Sequence, residues 1–482
     1  MKSLRTNLPA LLVMIFLINA PLEIGAQPTA VPSPAEYKHR GMSYPDFGHM
    51  VTPTQYDQTY ADQPIFRLKT DYPEGPAVKT LPKFMTEIDF KTNPLEYLVA
   101  AQKYSFEGNL PEFGGGRVAW DPFTNKIRPW YHIPWLHPTQ AYPPNGGTEG
   151  FRGMIKEAQV NPYQLAASQS GGLYQVYAIT LVNENAGFTM ARMWKDPNNP
   201  DPRATDKRYG GGFTPGTVFA KLLFTDAPAT AGEDPSNPYD HVDYLQNGVD
   251  WKVYITQNWT SPTFAVKTVH LLQMDMMMRD PRADRSKDNP QGTGWVFGTF
   301  VYNGAVANKQ SKFLNLVPLG VMWGNDPKNT ENKVVPYPPK PIGEIINPKL
   351  VEQKVFDSKD LPPQHLGWNS RLNGPADLNT SSCMSCHNAA QYPPLTSLVA
   401  PSMVPPGGPL PPALGGTPEW MEWFQDLECA TSSDPKAYST DMSWQISISL
   451  QNFYANKSQL SEGQWASEFQ VRSKPTGRGG LR

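Results

Sequence analysis

Cysteine is almost missing from this chain: Cys383, Cys386 and Cys429 are the only three in 482 residues. That number excludes a disulfide framework. Charge of one sign is also lacking, since 42 Lys and Arg stand against 44 Asp and Glu. A net charge of −2 leaves no basic footprint for nucleic acid or for an anionic membrane surface. Beyond the first residues no segment offers the ~18 apolar residues that a spanning helix needs. A transmembrane segment in the mature chain is therefore not expected. Glycine patterns for phosphate or dinucleotide binding are missing too. Gly114-Gly115-Gly116 and Gly210-Gly211-Gly212 have neither the spacing nor the partner residues. No catalytic triad and no paired-carboxylate spacing is visible, which argues against a hydrolase.

Proline is abundant instead, at 51 residues, beside 38 glycines. Such a chain cannot be built mainly from long helices, because Pro interrupts helix interiors and central strands. Hydrophobic residues at 39% and aromatics at 11% are nevertheless enough for substantial cores. The start reads as an export signal over 1–26. Lys2 and Arg5 precede the apolar run Leu11 to Ile18, and small residues follow at Ala20 and Gly25-Ala26. This places the mature protein in the periplasm or otherwise outside the cytoplasm.

Strand signals dominate the middle of the chain. LYQVYAITLV (Leu173 to Val182), TVFAKLLFT (Thr217 to Thr225), DWKVYIT (Asp250 to Thr256), Val266 to Met278 and Gly294 to Tyr302 are rich in β-branched and aromatic residues. Turn clusters such as NGG, PNNPD and DNPQG separate them. The expected fold class is mixed. A β-rich part, an antiparallel sandwich or open barrel, spans 111–340. An extended proline-rich arm over 27–110 precedes it, with one short helix from about Pro94 to Glu107 capped by Asn93. A proline-rich linker, 341–378, leads to a small helical region at 379–482. There PEWMEWFQDLE and SWQISISLQNFY read as helices, and the proline-rich interval Pro394 to Pro418 as a covering loop.

The one specific motif is Cys383-Met384-Ser385-Cys386-His387. Two residues between the thiols put both on one helical turn, where each can form a thioether to a porphyrin vinyl carbon. The adjacent His387 then sits under the iron as proximal ligand. A thioredoxin-like pair would need a βαβ context, and a zinc site would need a second ligand pair at short spacing. Neither is present in the sequence.

These five residues match the attachment motif of c-type cytochromes, and the region after them resembles a compact cytochrome c domain. More narrowly, the chain resembles bacterial monohaem cytochrome c family proteins with a large β-rich part before the haem. Trp130-Tyr131-His132, Gly294 to Tyr302 and Arg371-Leu372-Asn373-Gly374-Pro375 also carry that likeness. The resemblance implies one covalently attached haem c and no defined substrate. It also favours Met442 as sixth iron ligand, because such domains present a methionine just before the terminal helix. Met403 is the second candidate, and an open position or His365 the third.

Other residues invite weaker readings. His132 and His137, in WYHIPWLHP, could approach the haem as distal acid–base groups, against a plain packed loop. Met274, Met276 and Met278 share one face of a strand, where a core role outweighs Cu(I) binding. Arg371 could pair with a haem propionate, as could the Arg279 to Arg285 run, which otherwise reads as local ion pairs. Cys429 reads as a buried thiol.

Three functions follow as expectations. The first is a periplasmic electron carrier working with a redox partner protein. The second is a haem-dependent oxidoreductase, peroxidase-like or oxidising a small molecule at an open iron site. The third is a haem sensor or binding module.

Overall fold

The computed structural model describes residues 69–75, 78–110, 113, 125–136, 153–256, 264–305, 311–330, 352–354, 366–394 and 415–459. The signal segment, most of the covering loop, and the candidates His137, His365 and Met403 lie outside the described residues.

The apolar runs become strands close to their expected limits. They are β1 (Trp130–Tyr131), β2 (Ile155–Val160), β3 (Tyr174–Asn183), β4 (Val218–Thr225), β5 (Asp250–Thr256), β6 (Phe264–Met278), β7 (Val296–Tyr302), β8 (Leu316–Met322) and β9 (Glu352–Lys354). Together they make one nine-stranded sheet in the open order β1-β3-β4-β6-β7-β8-β9. β2 joins β3, and β5 joins β6. Every pairing is antiparallel. β3, β4, β7 and β8 are almost wholly buried along their length. A sheet so buried must be covered on both sides, and different parts of the chain supply the covers.

One cover is helical. After α1 (Lys83–Glu87) comes α2 (Pro94–Phe106), with Pro at its first position and Asn93 before it. The Asn93 side chain makes no cap bond; its carbonyl accepts from Tyr97 N instead. α2 lies against the β6–β7 face that carries Met276. Ser105 Oγ is 3.9 Å from Met276 Sδ. A Cβ at Gly298, opposite Met276 in β7, would come within 2.3 Å of Leu98. Glycine there lets the helix approach closely. The methionine stripe is thus core, and Met274, Met276 and Met278 are fully buried.

A helix that the sequence reading missed, α3 (Glu184–Met193), follows β3 directly; Asn183 ends the strand and accepts from Ala186 N as the cap. Among the described residues beyond 366 the helices are few and mostly short. They are α4 (Cys383–His387), α5 (Pro418–Met421) and α6 (Trp444–Gln459), with a two-stranded ribbon of β10 (Gln391–Tyr392) and β11 (Tyr438–Ser439). A separate helical haem domain is therefore not shown. Met384, Met442, Ile446, Leu450 and Phe453 belong to the same continuous core as Phe84 and the sheet. Phe453 packs edge-on to Trp135, and Ser449 donates to Pro134 O. Among the described residues no helix is long and apolar enough to cross a membrane.

Candidate functional site

α4 is a single turn held at both ends. Ser382 and Ser385 form a reciprocal capping box, satisfying two backbone donors that a short helix leaves open. Cys383 N donates to Leu372 O, and Trp444 Nε1 donates to Cys386 O at 2.8 Å. Residues three and four apart share a helix face. Accordingly Cys383, Cys386 and His387 are part-exposed on one side, while Met384 and Ser385 are buried on the other. Both cysteines are free thiols. Burial pushes Cys383 well above its usual range, helped by the Asp275 and Asp377 charges. Burial also takes Cys386 up to about 11. A thioredoxin-type nucleophile needs the opposite shift.

His387 is positioned for one task. Its ring packs edge-to-face on Phe297 at 5.0 Å, and Nδ1 lies 2.6 Å from Met442 O. A carbonyl can only accept, so Nδ1 carries the proton and Nε2 keeps its lone pair. Burial, with some help from the Lys221 charge, lowers its pKa to about 4 against the bond from Met442. The imidazole is neutral at physiological pH. An oriented neutral imidazole with one nitrogen held by a carbonyl is what an axial metal ligand requires. Two thiols beside it on the same turn fit thioether attachment of a haem.

Met442 occupies an unexpected place. Its backbone is left-handed (φ +62°), which turns the carbonyl onto Nδ1, and its side chain packs into the core. Nδ1 is the end of the ring that faces away from an iron at Nε2. The part Met442 plays in this structure is to orient His387 through its carbonyl.

Arg371 also works otherwise than expected. It is buried between Trp368 and Phe424, and its guanidinium donates to the carbonyls of Asn325, Asp326, Asn329 and Trp368. It holds the chain that leads to α4. The other arginines pair locally: Arg279 with Asp284, and Arg282 with Asp280 at 2.6 Å. His132 is buried, and its Nδ1 accepts from Lys69 N at 3.0 Å. Its backbone N–H donates to Lys69 O, and its carbonyl accepts from the Tyr72 hydroxyl. Cys429 is half-buried, with its thiol raised to about 11 by burial.

The structure adds a constellation that sequence reading missed. Strand register aligns Lys221, Asp275 and Thr299 across β4, β6 and β7. Thr299 Oγ1 is 3.6 Å from Cys383 Sγ, so this polar row lies against α4. Gln273 Nε2 donates to both oxygens of Asp275 (3.0 and 2.9 Å) and to Asp377 Oδ2 (2.9 Å). Its Oε1 accepts from Ala376 N, and a Cβ at Gly374 would overlap the Gln273 amide at 2.1 Å. Lys221 pairs with Glu157 at 3.0 Å. Two carboxylates far apart in sequence therefore share one amide donor. Burial and then the Asp377 charge raise Asp275 to about 7, against Lys221 and Gln273. Burial also raises Asp377. Lys221 is raised despite burial, by Glu157, Asp275 and Asp377. The available signal was a charge inside an apolar strand, Asp275 in QMDMMM and Lys221 in VFAKLLFT.

Among the described residues no group of three or more His, Cys, Asp or Glu side chains is arranged to hold a metal ion. A haem iron would need only His387 from the chain. No family model, curated protein or solved structure matches this chain.

Proposed function

We propose that this is an exported monohaem c-type protein that moves single electrons through a haem bound to Cys383 and Cys386. His387 would be its proximal ligand. The observation that carries the reading is the neutral His387, fixed through Nδ1 by Met442 O, on the same turn as two thiols. When bound, the haem supplies a one-electron iron couple. The chain orients the imidazole, encloses one edge of the site with Phe297 and Thr299, and keeps the thiols protonated until they are consumed.

A second reading has its own support. With its carbonyl on His387 Nδ1, Met442 would lie on the proximal side of the haem, and Met403 lies outside the described residues. This favours an exchangeable sixth position, and with it an oxidoreductase acting on peroxide or a small organic molecule.

An optical spectrum of the full chain, exported from cells that mature c-type cytochromes, tests both. Haem that stays with the wild-type chain under denaturing conditions, and is lost from Cys383→Ala/Cys386→Ala, is the expected result. Wild-type chain without covalent haem would refute the proposal. Prompt spectral change with CO supports the exchangeable site; none, in a low-spin protein, supports the pure carrier.

A further inference from the structure

We propose that Asp275 and Asp377, linked through Gln273, form a buried acid pair that takes up one proton when the iron is reduced, so that electron transfer by this protein is coupled to proton transfer. The inference rests on the haem reading above. It goes further by giving the site a second cargo.

The geometry comes first. One amide nitrogen, Gln273 Nε2, donates to both carboxyls and so ties the two acids into one buried cluster. Two carboxylates held so near one another resist ionising together. Lys221 comes from β4, Glu157 from β2, Thr299 from β7, and Cys383 and Cys386 from α4. Among the described residues Lys221 is the cation that acts on both acids, and it is already paired with Glu157. Ionising both aspartates thus leaves the cluster with three carboxylates to one ammonium. Asp275, whose affinity for a proton lies near neutrality, is the member placed to exchange one in ordinary conditions.

Coupling follows from position. The same two charges act on the Cys383 thiol, to which the haem would be joined, and Asp377 acts on Cys386. Adding an electron to ferric iron removes a positive charge from that neighbourhood and strengthens the hold of nearby carboxylates on a proton. The step balances simply. An external one-electron donor is oxidised, ferric iron becomes ferrous, and a proton from water forms an O–H bond to one carboxylate oxygen. No bond within the chain breaks.

The test is a spectroelectrochemical titration of the exported, haem-loaded chain from pH 6 to 8, for wild type, Asp275→Asn and Asp377→Asn. Full coupling makes each tenfold change in proton activity move the midpoint potential by about 59 mV, falling as pH rises. The expected result is a wild-type slope approaching that value and a slope less than a third as steep in Asp275→Asn. The reduced-minus-oxidised infrared spectrum should gain a protonated-carboxyl band that Asp275→Asn or Asp377→Asn removes. A flat wild-type potential with haem attached would overturn the pair's role alone. So would a slope that survives in both variants. Exported chain without haem overturns this inference together with the haem reading, and the absorbance spectrum tells that case apart.

Discussion

The two faces of β6 differ more than any other neighbouring parts of the molecule. On one face Met274, Met276 and Met278 are fully buried, with α2 packed over them. On the other, one residue out of step, Gln273 and Asp275 meet Thr299, Lys221 and Asp377 beneath the motif turn. The strand is the same and its pairing with β7 runs without a break, so backbone pairing on that side does not account for the difference. The apolar face follows from packing alone. The polar face carries charge at a depth where charge costs stability, and proteins keep that arrangement where chemistry needs it.

Mutations can break this comparison. Met276→Ala should cost about 3 kcal/mol, because a cavity opens under α2. Urea midpoints would measure it, and a loss under about 1 kcal/mol would show that the face is not tightly packed. His270, at the other end of the same strand, tests a polar contact that is structural. Its Nδ1 is 2.8 Å from Asp250 and its Nε2 2.7 Å from Glu233. Burial opposes its charge, yet the two carboxylate bonds win and raise its pKa to about 9. A raised pKa stabilises the fold fully below the unfolded value and loses that contribution as pH rises through the folded one. The stability difference between wild type and His270→Gln should be about 2 kcal/mol at pH 6 and close to zero at pH 10. A constant difference would refute the ion-pair account.

Gly298→Ala should lose about 1–2 kcal/mol, since its new methyl meets Leu98 on the α2 side. A neutral effect would mean that the helix can move away from the sheet. Asp275→Asn should change stability least, by less than about 0.5 kcal/mol or in the stabilising direction. It removes a buried charge and keeps an acceptor for Gln273. A loss above about 2 kcal/mol would make Asp275 a structural residue and would remove the contrast between the faces.

The strands were legible because their residues announce themselves locally. DWKVYIT became β5 with the limits read from it, and β6 gained only Phe264 and Ala265 at its start. The motif turn was legible for the same reason: spacing within five residues is a local property. The polar row was not, because Lys221, Asp275 and Asp377 become neighbours only through strand register and through a loop crossing the sheet. No spacing along the chain encodes that. The bond from His387 to the Met442 carbonyl was hidden for a related reason. The position of Met442 before the last helix is visible in sequence, whereas the left-handed turn that gives its carbonyl to His387 belongs to the tertiary structure. Asp441 secures that turn by accepting from Phe213 N, Ala430 N and Trp295 Nε1.

The tied-down turn also sets an order in time. Its two ends are fastened to Leu372 and Trp444, and its imidazole to a carbonyl 55 residues further along. A macrocycle is far broader than any gap that a rotating side chain opens in a close-packed interior. On the haem reading, attachment therefore comes while the chain is still open, and the last helix closes behind it. The cofactor would enter as an early member of the core, and folding would finish around it.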